Sequence, residues 1–125
     1  MHRFIDKAGR LVEIDMLGDV AHAYSNGKCI GFVETTGQIE LEHGWEPPKV
    51  TGWELHPAFR RAGIATEMVR LLYEEHGELQ PADKNQGIGD VNALNDDGMA
   101  ITRHCQKLGY IGPFPDEVDD QDWGN

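Results

Sequence analysis

Residues 53–68 read WELHPAFRRAGIATEM and carry the pattern that decides the fold. Apolar and polar residues alternate before this point, which predicts a strand over 50–55. Pro57 ends that strand, a short basic loop follows, and a helix is predicted from about Gly63 to His76. The helix has an apolar side at helical spacing, made of Ile64, Met68, Leu71 and Leu72.

The loop before this helix has the composition of an anion-binding turn. Backbone N–H groups in the first turn of a helix lack acceptors within the helix and carry partial positive charge. Gly63 and Ala65 leave room for an anion to approach the backbone, and Arg60 and Arg61 add two cations. The alternative is an ordinary helix start with two solvated arginines.

The segments upstream of residue 50 have the alternation of β-strands. Residues 4–6 and 11–15 flank a turn, residues 21–24 and 29–34 flank a second turn, and residues 38–42 form a further candidate strand. Asn26-Gly27 in the second turn is the strongest hairpin signal in the chain. Gly44 and the two prolines after it are expected to end the last of these strands.

A second helix is predicted from near Asn95 to Leu108, where Gly109 ends it. Residues 84–89, KNQGIG, resemble a glycine-rich phosphate loop but lack a strand before and a helix after, so they are interpreted as an ordinary loop. The chain is predicted to form one α+β domain over residues 1–115 with an antiparallel sheet. Residues 116–125 form an acidic tail.

The charge balance restricts the partners. The 125 residues include 11 basic and 22 acidic side chains, a formal net charge of −11. This charge argues against nucleic acid and anionic membranes and favours a basic acceptor, either a lysine-bearing protein or a polyamine. The alternative is that the acidity only maintains solubility. Without a long apolar run or a signal-like start, we expect a cytoplasmic protein.

Cysteine and histidine usage points to neither a disulfide nor a metal. Cys29 and Cys105 are far apart, and the six histidines are scattered without ligand spacing. We therefore expect no metal site.

Residues 55–65, LHPAFRRAGIA, resemble the central motif of the GNAT superfamily of N-acetyltransferases. In that motif a strand ending in an apolar-x-Pro pattern precedes Arg/Gln-x-x-Gly-x-Gly/Ala and a long helix, and Arg60, Gly63 and Ala65 occupy the defining positions. Residues 105–110, CQKLGY, resemble the Tyr-x-x-x-Gly-Phe pattern that ends the second helix in the superfamily, with Cys105 at the tyrosine position. The resemblance covers about residues 29–112.

The resemblance implies a GNAT-like, mostly antiparallel sheet with two main helices, and acetyl-coenzyme A as co-substrate. The pantetheine arm would pair with the backbone near Leu55 and His56. The pyrophosphate would be held by the turn and the first helical residues, namely Arg60, Arg61, Ala62, Gly63, Ile64, Ala65 and Thr66. The strand after the first helix is expected to be short because Pro81 cannot donate to a sheet. Helices that usually follow the first strand are missing, which implies an open acceptor side, and the edge strands also permit a homodimer.

Two residues are candidates for proton transfer. Family members commonly use a carboxylate on the central strands as base, which here favours Glu54, with Glu46, Glu42 and Glu40 as alternatives. A thiol has an ordinary pKa near 8.5, so Cys105 is a candidate acid, with Arg103 and His104 as neighbours that face differently. The alternatives are that Glu54 is an exposed strand residue and Cys105 a packing residue.

Taken together, the motifs predict an acyl-coenzyme A N-acyltransferase that transfers acetyl to a primary amine by direct attack. The alternative functions are a catalytically silent, acidic binding or inhibitory protein on the same fold, and a coenzyme A-binding sensor.

Overall fold

The computed structural model describes residues 1–82 and 96–114, with the side chain of Asp96 left aside. The described residues form seven strands and two α-helices, with a short 3-10 turn at Pro57–Phe59. The strands are β1 (His2–Ile5), β2 (Leu11–Leu17), β3 (Val20–Ser25), β4 (Lys28–Thr35), β5 (Ile39–Leu41), β6 (Gly44–Glu46) and β7 (Val50–Leu55). The helices are α1 (Ile64–His76) and α2 (Asp96–Leu108).

Five of the strands form one antiparallel sheet in the order β1-β2-β3-β4-β7. The fold is therefore α+β with a mostly antiparallel sheet and two helices, as predicted. Strands β5 and β6 form a separate two-stranded ribbon between β4 and β7 in the chain. Strand β5 ends at Leu41, before Gly44, in agreement with the predicted break, and Gly44 begins strand β6.

The hairpin between β3 and β4 follows from its two turn residues. Asn26 and Gly27 both have positive φ, 51° and 79°. That pair of conformations matches the right-handed twist of adjacent strands, and asparagine and glycine adopt it at low cost. The predicted turn is confirmed.

The hydrophobic core lies on one face of the sheet, beneath α1. Fully buried residues of the sheet, such as Val12, Ala21 and Val33, point toward the helix, and α1 supplies Ile64, Met68, Val69 and Leu72. Complete burial of each large aliphatic side chain stabilises the fold by about 1.5–3 kcal/mol. The predicted apolar side of α1 is confirmed except at Leu71, which is half-buried.

Glu67 belongs to the polar side of α1 yet is mostly buried, because its carboxylate is held between the Arg70 guanidinium and the His2 ring. Its carboxylate accepts hydrogen bonds from Arg70 at 2.7 Å and from the His2 ring at 2.6 Å. The bond from Arg70 holds the pKa of Glu67 below its ordinary value; partial burial opposes this, and His2 adds to the lowering. This contact also ties β1 to the first helix.

The chain after α1 makes only a brief parallel contact with β7. Gln80 N–H donates to the Pro48 carbonyl at 2.8 Å, and Val50 N–H donates to the Gln80 carbonyl at 3.1 Å. Leu79 pairs in the same way with Ile111. Among the described residues, which reach position 82 in this segment, the pairing stops at Gln80, in agreement with the predicted short strand.

Three predictions lie outside the described residues: the helix start at Asn95, the loop at 84–89 and the acidic tail at 116–125. Over the ranges that are described, neither helix is long and apolar enough to cross a membrane.

Candidate functional site

Two left-handed residues turn the chain from β7 into α1. Arg61 has φ 59° and Gly63 has φ 87°, and helix α1 begins at Ile64. No side chain caps the helix start, and the first bond within it runs from Glu67 N–H to the Gly63 carbonyl at 3.1 Å. The N–H groups before Glu67 are therefore available to an anion, since a helix start leaves them without acceptors.

This helix start opens onto a groove of about 1210 Å³. Its walls are formed by β4 and β7, the turn, the first residues of α1 and α2 as far as His104. Lining residues with charged or ionisable side chains are Lys7, Glu34, Glu54, Arg60, Arg61, Asp97 and His104. The groove is at least as large as the cavities that usually hold small-molecule ligands, about 300–1000 Å³.

Among the described residues, no strand pairs with the edge of β7 that faces away from β4, and the second half of β7 lines this groove. His56 N–H donates to the Ile30 carbonyl at 2.7 Å, so it points toward β4. Because backbone groups alternate in direction along an antiparallel strand, the N–H groups of Trp53 and Leu55 point away from β4. No described residue accepts from them. The predicted backbone contact at His56 is thus unavailable through its N–H, and the open edge lies at Trp53 and Leu55.

The two arginines of the turn have different surroundings. Arg60 Nε donates to the Leu55 carbonyl at 2.9 Å, and its Nη1 lies 3.5 Å from an Asp97 carboxylate oxygen at the start of α2. Arg61 is exposed, and within residues 1–82 and 96–114 it has no hydrogen-bond or ion-pair partner. Arg61 is therefore the cation of the turn that is free to bind an anion, while Arg60 also links β7 to α2.

The turn between β1 and β2 is attached to the loop before α1. Lys7 N–H donates to the Ala62 carbonyl at 2.9 Å, and Arg10 Nη1 donates to the Ala58 carbonyl at 2.8 Å. The Arg10 guanidinium also lies 4.1 Å from the centre of the Phe59 ring, a cation–π contact.

Buried Asp6 organises this attachment. Its carboxylate accepts from the N–H groups of Ala8 and Arg10, both at 2.9 Å, and pairs with the Arg10 guanidinium at 2.9 Å. Burial by itself raises the pKa of Asp6, but the bonds from Arg10 and Ala8 outweigh it and hold that pKa below its ordinary value.

The attached hairpin brings Lys7 to the turn before α1. A Cβ built on Gly63 would lie 3.6 Å from Lys7 Cε, and Lys7 lines the groove. Lys7 could not be predicted as a site residue, because nothing local in the chain signals a contact with Gly63, 56 positions away.

Glu54 is exposed and lines two cavities. One is the large groove, and the other is a cavity of about 360 Å³ lined by His56, Pro57 and part of β4. Its carboxylate has no partner among the described residues. The alternative bases Glu40, Glu42 and Glu46 belong to the β5–β6 ribbon and its turn, and none of them lines the groove.

Cys105 lies in the core and does not line the groove. Its side chain is fully buried, and burial raises the pKa of its thiol to about 12, although a hydrogen bond with Thr66 opposes this. These surroundings suit the packing alternative better than the acid role, which stays a prediction. The neighbouring His104 is exposed and lines the groove.

The structure therefore brings most predicted site residues to one groove: Glu54, Leu55, Arg60, Arg61, Gly63, Ile64, Ala65 and Thr66. His56 faces the smaller cavity and caps the 3-10 turn, where its Nδ1 accepts from Ala58 N–H at 3.1 Å. Ala62 is buried and contributes its carbonyl to Lys7.

Fold and geometry together define an α+β protein whose groove joins the start of α1 to an edge of β7, both without a partner in the part of the chain that the structure describes. No protein family, no curated protein and no solved structure matches this chain.

Proposed function

We propose that this protein is an acyl-coenzyme A N-acyltransferase that transfers acetyl from acetyl-coenzyme A to a primary amine. One observation carries the proposal: the uncapped start of α1, with Arg61 and Lys7 beside it, opens onto the same groove as the unpaired edge of β7. A ligand with an anionic end and an amide-containing arm fits this arrangement. The GNAT-like sequence motif supports the same ligand independently.

The lining of the groove is divided by charge. Lys7, Arg60 and Arg61 come from the turn and the hairpin attached to it, while Glu34 and Glu54 come from β4 and β7. Phosphates are favoured at the basic part and an amine at the acidic part. Asp97 pairs with Arg60, so it neutralises part of the basic charge until an anion displaces it.

Glu54 and His104 are the proton carriers that this geometry favours. The acceptor nitrogen forms a bond to the acyl carbon, the carbon–sulfur bond breaks, and sulfur leaves as a thiolate. Glu54 takes the proton lost by nitrogen, directly or through water, and His104 supplies a proton to the thiolate. An imidazole ring can carry a proton that it donates, and His104 lines the groove. Most of the rate enhancement comes from holding the two reactants together.

A coenzyme A-binding sensor without turnover is the second candidate. It is favoured by the burial of Cys105, which stands where the resemblance expects the acid. Both candidates use the same phosphate turn. Two free cysteines fit a reducing compartment, and we propose the cytoplasm as the location.

The test is release of free thiol from acetyl-coenzyme A in the presence of lysine-rich peptides and polyamines. Gly63→Glu and Gly63→Ala form a matched pair, because both strain the backbone at φ 87° but only glutamate brings bulk and negative charge to the helix start. The enzyme proposal expects release by the wild type, reduced release by Gly63→Ala and none by Gly63→Glu. Binding of acetyl-coenzyme A without thiol release on any acceptor favours the sensor. Equal thiol release by Gly63→Ala and Gly63→Glu contradicts the proposal that this turn binds the pyrophosphate.

A further inference from the structure

The face of the sheet opposite the helices, here called the outer face, carries an ordered row of side chains. In the strand register Asp15 lies opposite His22, His22 opposite Phe32, and Phe32 opposite Glu54. Their inward-pointing neighbours on the same strands belong to the core, so these four side chains lie on the other face. With strands about 4.8 Å apart, the row spans about 14 Å.

On the outer face, a strip of aromatic rings is flanked by carboxylates. The His22 ring centre lies 6.5 Å from that of Tyr24 and 6.3 Å from that of Phe32, and all three are half-buried. Carboxylates flank this aromatic strip from three strands, namely Glu13, Asp15, Glu34 and Glu54. Both α-helices of the described residues lie elsewhere, since α1 packs on the core face and α2 packs on α1.

The charge of this face is largely uncompensated. Glu13 has a long contact of 3.8 Å with Arg3, and Glu34 accepts from the Thr51 hydroxyl at 3.2 Å. Asp15 and Glu54 have neither an ion pair nor a hydrogen bond to any side chain that the structure describes. A strip of aromatic faces bordered by free carboxylates binds ammonium and guanidinium groups through cation–π and ionic contacts.

We infer that the outer face is the docking surface for the acceptor, an extended protein segment in which lysine or arginine alternates with apolar side chains. The inference rests on the proposed function and names its substrate class. An extended segment lying across the strands would place apolar side chains on Phe32 and Tyr24 and cations on Asp15 and Glu13. At the β7 end it would bring a lysine amine to Glu54, which borders the groove.

Charge complementarity selects this occupant over a second copy of the chain. Stacking two outer faces at the usual sheet separation of about 10 Å would bring the carboxylates of both copies together in a partly dehydrated interface. A free polyamine would satisfy the carboxylates but would leave the aromatic strip without apolar contact. A cationic segment with interspersed apolar residues satisfies both.

The experiment uses the full chain and two synthetic ten-residue peptides, one alternating lysine with valine and one with glutamate in place of each lysine. Binding is measured by fluorescence anisotropy, and the site is mapped by the backbone amide shifts of the protein during an NMR titration. We expect the lysine peptide alone to bind, with shifts concentrated on outer-face residues of β2, β3, β4 and β7. Shifts confined to the helices or the β5–β6 ribbon would overturn the assignment.

A double substitution tests the carboxylates without touching Glu54. Asp15→Asn with Glu34→Gln is expected to weaken peptide binding about fivefold, from the loss of two exposed ionic contacts. The matched control, Glu42→Gln with Glu75→Gln, changes net charge equally at exposed positions away from this face and is expected to leave affinity within about twofold. Equal weakening by both pairs, or concentration-dependent dimerisation that the peptide abolishes, would overturn the inference.

Calorimetry with acetyl-coenzyme A separates this inference from the proposed function. Binding of acetyl-coenzyme A without binding of the lysine peptide overturns the docking surface alone. Peptide binding at the outer face without binding of acetyl-coenzyme A overturns the proposed activity and the acceptor role of the peptide together.

Discussion

The backbone N–H of Lys7 donates to the carbonyl of Ala62 across 2.9 Å, and this bond joins the first hairpin to the turn that precedes α1. The contact explains how a hairpin at the start of the chain places a cation beside a turn that lies more than fifty residues later in the sequence. It also makes the geometry of the turn before α1 depend on Asp6, whose carboxylate holds the hairpin turn in shape.

Asp6→Asn is therefore expected to weaken acetyl-coenzyme A binding and to lower Tm, although Asp6 does not line the groove. The amide keeps an acceptor but loses the ion pair with Arg10, so the hairpin turn detaches more readily from the loop. Calorimetry and thermal unfolding measure the two effects. Lys7→Gln should weaken binding with Tm unchanged, since its side chain is exposed, and Lys28→Gln is the matched exposed control. Unchanged affinity in Asp6→Asn, despite a lower Tm, would contradict the link.

Arg61→Asn is expected to separate binding from stability. Asparagine tolerates the positive φ of 59° better than most residues, and the arginine has no partner among the described residues to lose. Acetyl-coenzyme A affinity should fall about tenfold, as expected for one charge-assisted phosphate contact of about 1.5 kcal/mol, while Tm stays within about 2 °C.

Arg60→Gln provides the contrast to that variant. It removes the bond to Leu55 and the contact with Asp97, so both affinity and Tm should fall. If the two arginine variants behave alike in both measurements, the distinction between a free and a linking arginine is wrong.

The two cysteines are expected to differ sharply in reactivity. Cys29 is exposed and should react with iodoacetamide in the native protein, whereas buried Cys105 should react only after unfolding.

Burial raises the pKa of the Cys105 thiol to about 12, so above the ordinary thiol pKa only the unfolded state releases the proton. Stability should accordingly fall as pH rises from about 9 toward 12.

Peptide mapping after alkylation at pH 8 identifies the modified residue. Cys105→Ala serves as the activity control and should retain turnover if His104 supplies the proton. Rapid native alkylation of Cys105, or loss of turnover in Cys105→Ala without loss of Tm, would restore Cys105 as the acid.

Acid should destabilise the protein through Glu67 and Asp6. The pKa of Glu67 is lowered by Arg70 and His2, and that of Asp6 by Arg10 and Ala8 against the effect of burial. Carboxylates with lowered pKa stabilise the folded state fully above their ordinary pKa near 4, and this stabilisation is lost as pH falls through the folded values. Urea unfolding at several pH values between 3 and 7 measures the slope of the unfolding free energy against pH.

Glu67→Gln is expected to make the free energy of unfolding depend less steeply on pH, because the substituted side chain no longer titrates. Glu75→Gln changes an exposed carboxylate on the same helix and should leave the slope as in the wild type. A Glu67→Gln profile that coincides with the wild type would contradict the role of this contact.

Local patterns predicted the elements that depend on local physics. The strand at 50–55, the helix from Ile64 to His76 and the Asn26-Gly27 hairpin all follow from periodicity and turn chemistry, and the structure has them at nearly the predicted bounds. The α+β class followed from the same patterns. The turn between β7 and α1 could be predicted because strand, loop and helix start are contiguous in the chain; its binding of an anion stays a prediction.

Features that depend on register or on distant contacts could not be predicted in this way. The orientation of the His56 N–H is set by the pairing of β7 with β4, and the position of Lys7 by attachment of a remote hairpin. Burial of Cys105 depends on how α2 packs, which its own sequence does not encode. The row from Asp15 to Glu54 crosses four strands and exists only once their register is known.

Titration of the wild-type chain with acetyl-coenzyme A by isothermal calorimetry tests the central claim most directly. We expect one site per chain with micromolar affinity, competition by coenzyme A, and about tenfold weaker binding by Arg61→Asn. The absence of binding heat at two temperatures, with no change in Tm at 1 mM ligand (about a thousandfold excess over a micromolar Kd), would contradict the assignment of this groove to an acyl-coenzyme A.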